Sequence, residues 1–313
     1  MPHRNILFAV CLATLMGSAP AAPVPPSCGM AGAFNQPDDG GATTTAVWAQ
    51  PDNAALLFGD SLHVNTDGTK RSYKVSDFWG EKDALNNLCN AMSDACVGLS
   101  STQKRARRIL TQQARAAGWP TAQLAATQLS SAILPFARTA GGRRIPCPEV
   151  DGFLVSATAL FDPAVTNQCD LRRYVDALAT NALVIPPTPG FVSRGAAVGD
   201  LAVAMRPDGT TYFAVVGDTG PRKQLGEASI ALAGAILEKV NPPVNYNEVR
   251  GRGEFAGKGW DVPKAFVLIF PKTRNAAAPM ITMAQINAAA APAFARWGGI
   301  ERLKACAAAY RRN

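Results

Sequence analysis

The sequence is poor in histidine, in charge and in long apolar runs. It carries two histidines in 313 residues, His3 and His63, and no Cys-x-x-Cys pair. A zinc centre, built from His and Cys at short spacing, is therefore not expected. Charged residues make up only 17% of the chain and aromatics 7%. The basic clusters are not interleaved with aromatics, and none matches a nucleic-acid-binding module, so nucleic acid is not an expected partner. The apolar run Ile6–Met16 is shorter than the roughly 20 residues a spanning helix needs, and no later segment reaches that length. No internal repeat is visible.

What is present begins with a charged start, that short apolar run and Ala19-Pro-Ala21, the pattern of a secretory signal peptide over residues 1–21 with cleavage near Ala21 or Ala22. Cys11 falls inside it and leaves six cysteines: Cys28, Cys89, Cys96, Cys147, Cys169 and Cys306. An even count in an exported chain points to disulfides. Cys89 and Cys96 are spaced to close a small loop, and the other pairings stay open. The net charge of +8 has two readings: it is confined to clusters at Lys104–Arg115 and near Arg302–Arg312, or it serves an anionic substrate or an anionic surface on which the basic face docks.

A hydrophobic content of 48% is enough for a substantial core. Residues 22–45, rich in Pro, Gly, Asp and Thr, read as a leader with little structure. Residues 46–272 read as one main domain and 273–313 as an alanine-rich helical tail. Within the domain, an amphipathic helix is expected over 81–96, and further helices over Thr102–Gly118 and Thr121–Ala137. The alanine, glutamine and arginine content of the latter two defines a helical insertion at about 98–145. Short strand-like runs stand at 55–58, 62–64, 153–156, 182–185, 201–204, 212–216 and 265–270, with Met205-Arg-Pro-Asp208-Gly209 as a hairpin turn. The expected fold is α+β, a small β-barrel with a helical insertion and a C-terminal helix.

One stretch carries chemistry. The run Tyr212–Val216 ends in Gly217-Asp218-Thr219, and Gly226-Glu227-Ala228-Ser229-Ile230-Ala231-Leu232-Ala233 opens a second apolar segment. Two carboxylates are thus delivered to one edge of the core. Glycoside hydrolysis needs such a pair, one to protonate the leaving oxygen and one to activate water or attack. A simpler account is that Asp218 shapes a turn and Glu227 suits the start of a helix.

The double block resembles glycoside hydrolase family 75, the fungal-type chitosanases. Weaker echoes are Asn65-Thr-Asp67-Gly, Tyr174-Val-Asp-Ala-Leu and Asp200-Leu-Ala-Val-Ala, so the resemblance spans about 55–90 and 150–272. It implies a double-psi-like barrel and endo-acting, inverting cleavage of β-1,4 bonds in chitosan or a related glucosamine polymer. No cofactor and no metal are implied. The family's essential carboxylates carry over onto Asp218 and Glu227, with acid and base undecided and Glu227 the favoured acid. Peptidoglycan cleavage, and non-catalytic glycan binding on the same scaffold, remain alternatives.

Other candidates are secondary. Asp67 either shapes an Asp-Gly turn or adds a third carboxylate to the cleft. Asp200 is a candidate substrate contact at a strand start. Thr219 flanks Asp218, and Trp260, in a Gly-rich loop, is a candidate sugar platform. Gly59-Asp60-Ser61-Leu62 resembles the nucleophile block of SGNH-type esterases. Those enzymes need a histidine base near the C-terminus, and no histidine follows His63.

Overall fold

The computed structural model describes residues 27–92 and 95–312. The signal-like start, its cleavage position and Cys11 lie outside the described residues. Ten strands follow in order: β1 (Ala31–Asp38), β2 (Thr43–Ala49), β3 (Leu56–Asn65), β4 (Phe136–Arg138), β5 (Arg144–Pro146), β6 (Ala182–Ile185), β7 (Leu201–Met205), β8 (Thr211–Thr219), β9 (Glu227–Ser229) and β10 (Val262–Phe270). The helices are α1 (Ser101–Ala116), α2 (Thr121–Thr127), α3 (Pro189–Val192), α4 (Ile230–Leu237), α5 (Tyr246–Val249), α6 (Met283–Trp297) and α7 (Gly299–Tyr310).

Six strands close into a barrel in the order β3-β10-β7-β8-β6-β9, with β9 returning to β3. The pairings β3–β9 and β6–β8 are parallel and the other four antiparallel. The wall strands read as continuous apolar runs because both faces are covered. Leu56, Phe58, Leu183, Val216 and Val267 point into the barrel. Their neighbours Leu57, Val215 and Leu268 point outward, against Ile286, Phe294 and Trp297 of α6 and Leu303 of α7. Each such side chain stabilises the fold by roughly 1.5–3 kcal/mol when fully buried. The expected α+β architecture with a barrel core is therefore present, and the C-terminal helices are part of its core packing.

Three disulfides join Cys28 to Cys306, Cys89 to Cys96 and Cys147 to Cys169. No helix among the described residues is long and apolar enough to cross a membrane.

Several local expectations need correction. The segment read as a leader contains β1 and the start of β2, which form a hairpin that joins the barrel sheet through β2–β3. Phe34, Val47 and Trp48 anchor it, with Phe34 edge-on to Phe191 at 5.2 Å. Among the described residues of 81–96, the one helical element is a 3-10 turn at Leu88–Met92. Their backbone is engaged elsewhere: the N–H groups of residues 81–84 donate to the Asp77 carboxylate, and those of Leu85 and Asn86 to the carbonyls of Arg71 and Ser72. The second insertion helix stops at Thr127 because Gln128 turns left-handed, and the chain then forms the β4–β5 ribbon. The run at 153–156 makes only isolated bridges, Tyr73 to Leu154 and Val150 to Phe153. The first insertion helix runs close to expectation, fixed by a capping box between Ser100 and Gln103.

Candidate active site

Register decides where the two carboxylates stand. Val184 on β6 pairs with Asp218 of β8 on one side and with Glu227 of β9 on the other. Register partners share a face, so the three side chains form a row on the outer wall. Two strand spacings separate Asp218 from Glu227, about 9.5 Å between backbones. His63 of β3, the partner of Glu227, extends the row.

Asp218 reaches this face only through a one-residue irregularity. Leu183 pairs with Val216, whereas Val184 pairs with Asp218, so Gly217 is a bulge. Strict alternation after the inward Val216 would send Asp218 into the barrel; the extra residue turns it outward. Gly217 has to be small, because a Cβ there would lie 2.8 Å from the Ala182 Cβ. At the other motif, Gly226 has φ +73, and a Cβ would meet the Ser61 carbonyl oxygen at 2.1 Å. That close approach lets the Gly226 carbonyl accept from the His63 N–H at 2.7 Å, seating β9 beside β3.

Asp67 joins the pair from the turn after β3. A narrow notch of about 10 Å³, on the scale of one water, lies between Asn65, Asp67, Thr158, Val175 and Asp218. Asp218 Oδ1 accepts from the N–H groups of Ala159 (3.0 Å) and Thr219 (2.8 Å). Burial nonetheless raises its pKa to about 6, with the Glu227 charge adding to the rise against those two bonds. Burial also raises Glu227, opposed by the Asn65 amide and by the charges of His63 and Arg250. Asp67 rises to about 8, first through burial and then through the Asp218 charge, while the Tyr73 hydroxyl acts the other way. Its Oδ1 is buried without a hydrogen-bond partner. Three carboxyl groups with elevated pKa values therefore share one small region.

Behind Glu227 lies a charged relay. Asp261 sits 3.4 Å from His63 Nδ1 and 3.2 Å from the Arg250 guanidinium. The His63 contact is ionic and not an aligned hydrogen bond, and it raises the His63 pKa. Ser61 stands two residues before His63 on the same strand, about 6.8 Å along it, too far for the serine–histidine contact an esterase needs.

The remaining candidates divide. Thr219 is exposed beside Asp218. Ser229 is buried and caps α4 through the Leu232 N–H. Asp200 is 0% exposed; it accepts from the N–H groups of Ala197 and Arg274 and cannot touch a substrate. Trp260 is 2% exposed, packed with Leu85 and Ile230 and donating to Glu248, so it offers no platform for a sugar. Sequence reasoning missed Asn65 and Tyr73 as neighbours of the carboxylates. Asn65 lay within the quoted Asn-Thr-Asp-Gly segment, whereas nothing near Tyr73 marked it. Also missed was a cavity of about 270 Å³ lined by Leu160, Phe161, Val198, Arg274 and Pro279. It begins at Ala159, the residue that donates to Asp218, and Phe161 is 38% exposed there. Among the described residues, no cluster of His, Cys, Asp and Glu is arranged to hold a metal ion.

Searched against protein-family models and against curated proteins, the chain matches none.

Proposed function

We propose that this protein is an exported endo-acting glycoside hydrolase that cleaves β-1,4 bonds in a glucosamine-containing polymer such as chitosan. The observation that carries the reading is the row on the outer wall, in which Asp218 and Glu227 flank Val184 on one face. Their backbone separation of about 9.5 Å is compatible with the roughly 6.5–9.5 Å between carboxyl groups that inversion requires. Export rests on the signal-like start, and the three disulfides suit an oxidising compartment.

The electrostatics favour distinct roles. Asp218, whose pKa is raised to about 6, keeps its proton into the mildly acidic range and is the general acid. Glu227, beside the Asn65 amide and the charges of His63 and Arg250, is the general base. Glu227 takes a proton from water as the water oxygen attacks the anomeric carbon. The bond from that carbon to the leaving oxygen breaks, and Asp218 gives the leaving oxygen its proton. Protonated Asp67, beside the Tyr73 hydroxyl, avoids placing a third negative charge near Asp218.

Reducing-end release from chitosan and from peptidoglycan tests the reading. Asp218→Asn and Glu227→Gln are each expected to lower turnover on chitosan by about 10²–10⁴-fold. Azide is expected to restore partial turnover to Glu227→Gln alone, because a small nucleophile replaces base-activated water. Wild-type activity confined to peptidoglycan would overturn the substrate. Absence of activity on both polymers would overturn hydrolysis.

A further inference from the structure

The positive charge of the chain is concentrated. Residues 98–145 contain seven arginines and one lysine and no aspartate or glutamate, a surplus equal to the +8 of the whole chain. The Cys89–Cys96 and Cys147–Cys169 disulfides stand on either side of the segment. It packs on Tyr73, Phe78 and Leu88 through Ala114, Trp119, Leu124 and Leu134, away from the barrel interior.

These cations are poorly neutralised. Among the described residues only Arg115 has an ion-pair partner, Glu149 at 2.5 Å. Lys104, Arg108 and Arg115 fall within about 40° around the α1 axis, forming one stripe. Arg143 donates to the Trp119 carbonyl and so ties the β4–β5 ribbon to the connection between α1 and α2. On that ribbon Arg138 and Arg144 are direct cross-strand partners, a like-charge pairing that is unfavourable by itself. The Arg108 Nε is buried and has no hydrogen-bond partner. Repulsion on the ribbon is relieved by an external anion.

The chemistry of that anion can be narrowed. Arginine's planar fork suits carboxylate and phosphate oxygens. Trp119 is buried and Phe136 lies beneath Arg144, so the unit offers no free ring on which bases stack. The insertion, with its eight cations and no acidic residue, would attract a polyanion and repel a polycation. We propose that the insertion at 98–145 is a docking surface for an acidic, carboxylate-bearing polysaccharide. This assignment does not depend on the hydrolysis proposed above.

The test uses the full chain, polygalacturonate fragments of defined length, and titrations at about 50 and 300 mM salt, where screening lengths differ markedly. Wild type is expected to bind at low salt and to lose at least about tenfold in affinity at high salt. The combined variant Lys104→Gln, Arg105→Gln, Arg138→Gln and Arg144→Gln is expected to lose about tenfold or more at low salt. Its melting temperature should equal or exceed that of wild type, because repulsion is removed. The double variant Asp218→Asn, Glu227→Gln is expected to bind as wild type does. No binding at low salt, equal binding by the four-site variant, or loss of binding in the double variant would each overturn the proposal. So would duplex DNA that binds as tightly as polygalacturonate, since the surface would then read charge without regard to the polymer.

Discussion

Replacing Asp67 with asparagine should make the protein more stable, and only above mildly acidic pH. Asp67 is held among Asp218, Glu227 and the Tyr73 hydroxyl with one carboxyl oxygen buried and unpartnered, and its pKa rises to about 8. An aspartate in the unfolded chain ionises near 3.9, so between about pH 4 and pH 8 the native state binds more protons than the unfolded one. Stability contributed by this group is therefore complete below the unfolded pKa and falls as pH rises towards the folded value. Over the roughly three units from pH 4 to pH 7 the ceiling is about 4 kcal/mol, at 1.36 kcal/mol per unit. Solvent reaches part of the side chain, so we expect about 1–2 kcal/mol to be recovered. Asp67→Asn is neutral at every pH and nearly the same shape. Its melting temperature should exceed that of wild type by about 2–6 °C at pH 7.5, with the gap closing at pH 4. Paired calorimetric scans across that range measure this. A gap of equal size at both ends, or a less stable variant at pH 7.5, would refute the reasoning.

Gly217→Ala should lower kcat by about tenfold or more, because its Cβ meets Ala182 at 2.8 Å and the bulge that aims Asp218 must shift; an unchanged kcat would contradict the role given to the bulge. Asp200→Ala should cost about 2–4 kcal/mol in a denaturant titration, through the loss of its bonds to the N–H groups of Ala197 and Arg274, while kcat/KM stays near wild type. The profile of kcat/KM should fall as pH rises through about 6, where Asp218 loses its proton, and Glu227→Gln should keep this limb but move it to lower pH, because the Glu227 charge helps to raise Asp218. Phe161→Ala should raise KM about fivefold on long chitosan chains and leave short oligomers unaffected, the size expected for one lost ring contact; an equal effect on both would remove the cavity from the substrate path.

The barrel was legible because its strands are apolar runs punctuated by Gly, Pro and Asp, and the Arg206–Gly209 turn joins β7 to β8 as its residues suggest. The helix after Ser100 was legible from its cap. The hairpin of β1 and β2 was hidden by composition, since Phe34, Val47 and Trp48 are scattered among Thr, Gly and Asp. Residues 81–96 have a helical pattern, yet Asp77, just before them, and the Arg71–Ser72 segment take the N–H groups of residues 81–86. Burial was the other blind spot: Asp200 and Trp260 look available in sequence, and only the packing of the chain around them shows that they are not. Asp67, Asp218 and Glu227 were each visible as residues. That they converge depends on a bulge, which exists only relative to the strand it pairs with. The tyrosine beside Asp67 left no local trace.

The Cys28–Cys306 bond joins positions 278 residues apart and makes most of the chain a covalent ring. A ring has no privileged beginning. Its ends can be moved to the exposed turn at Gly141–Gly142, in the ribbon of the insertion, without cutting a barrel strand. A single cut by a protease in that turn would likewise leave both fragments linked, so the carboxylate row would stay within one covalent molecule.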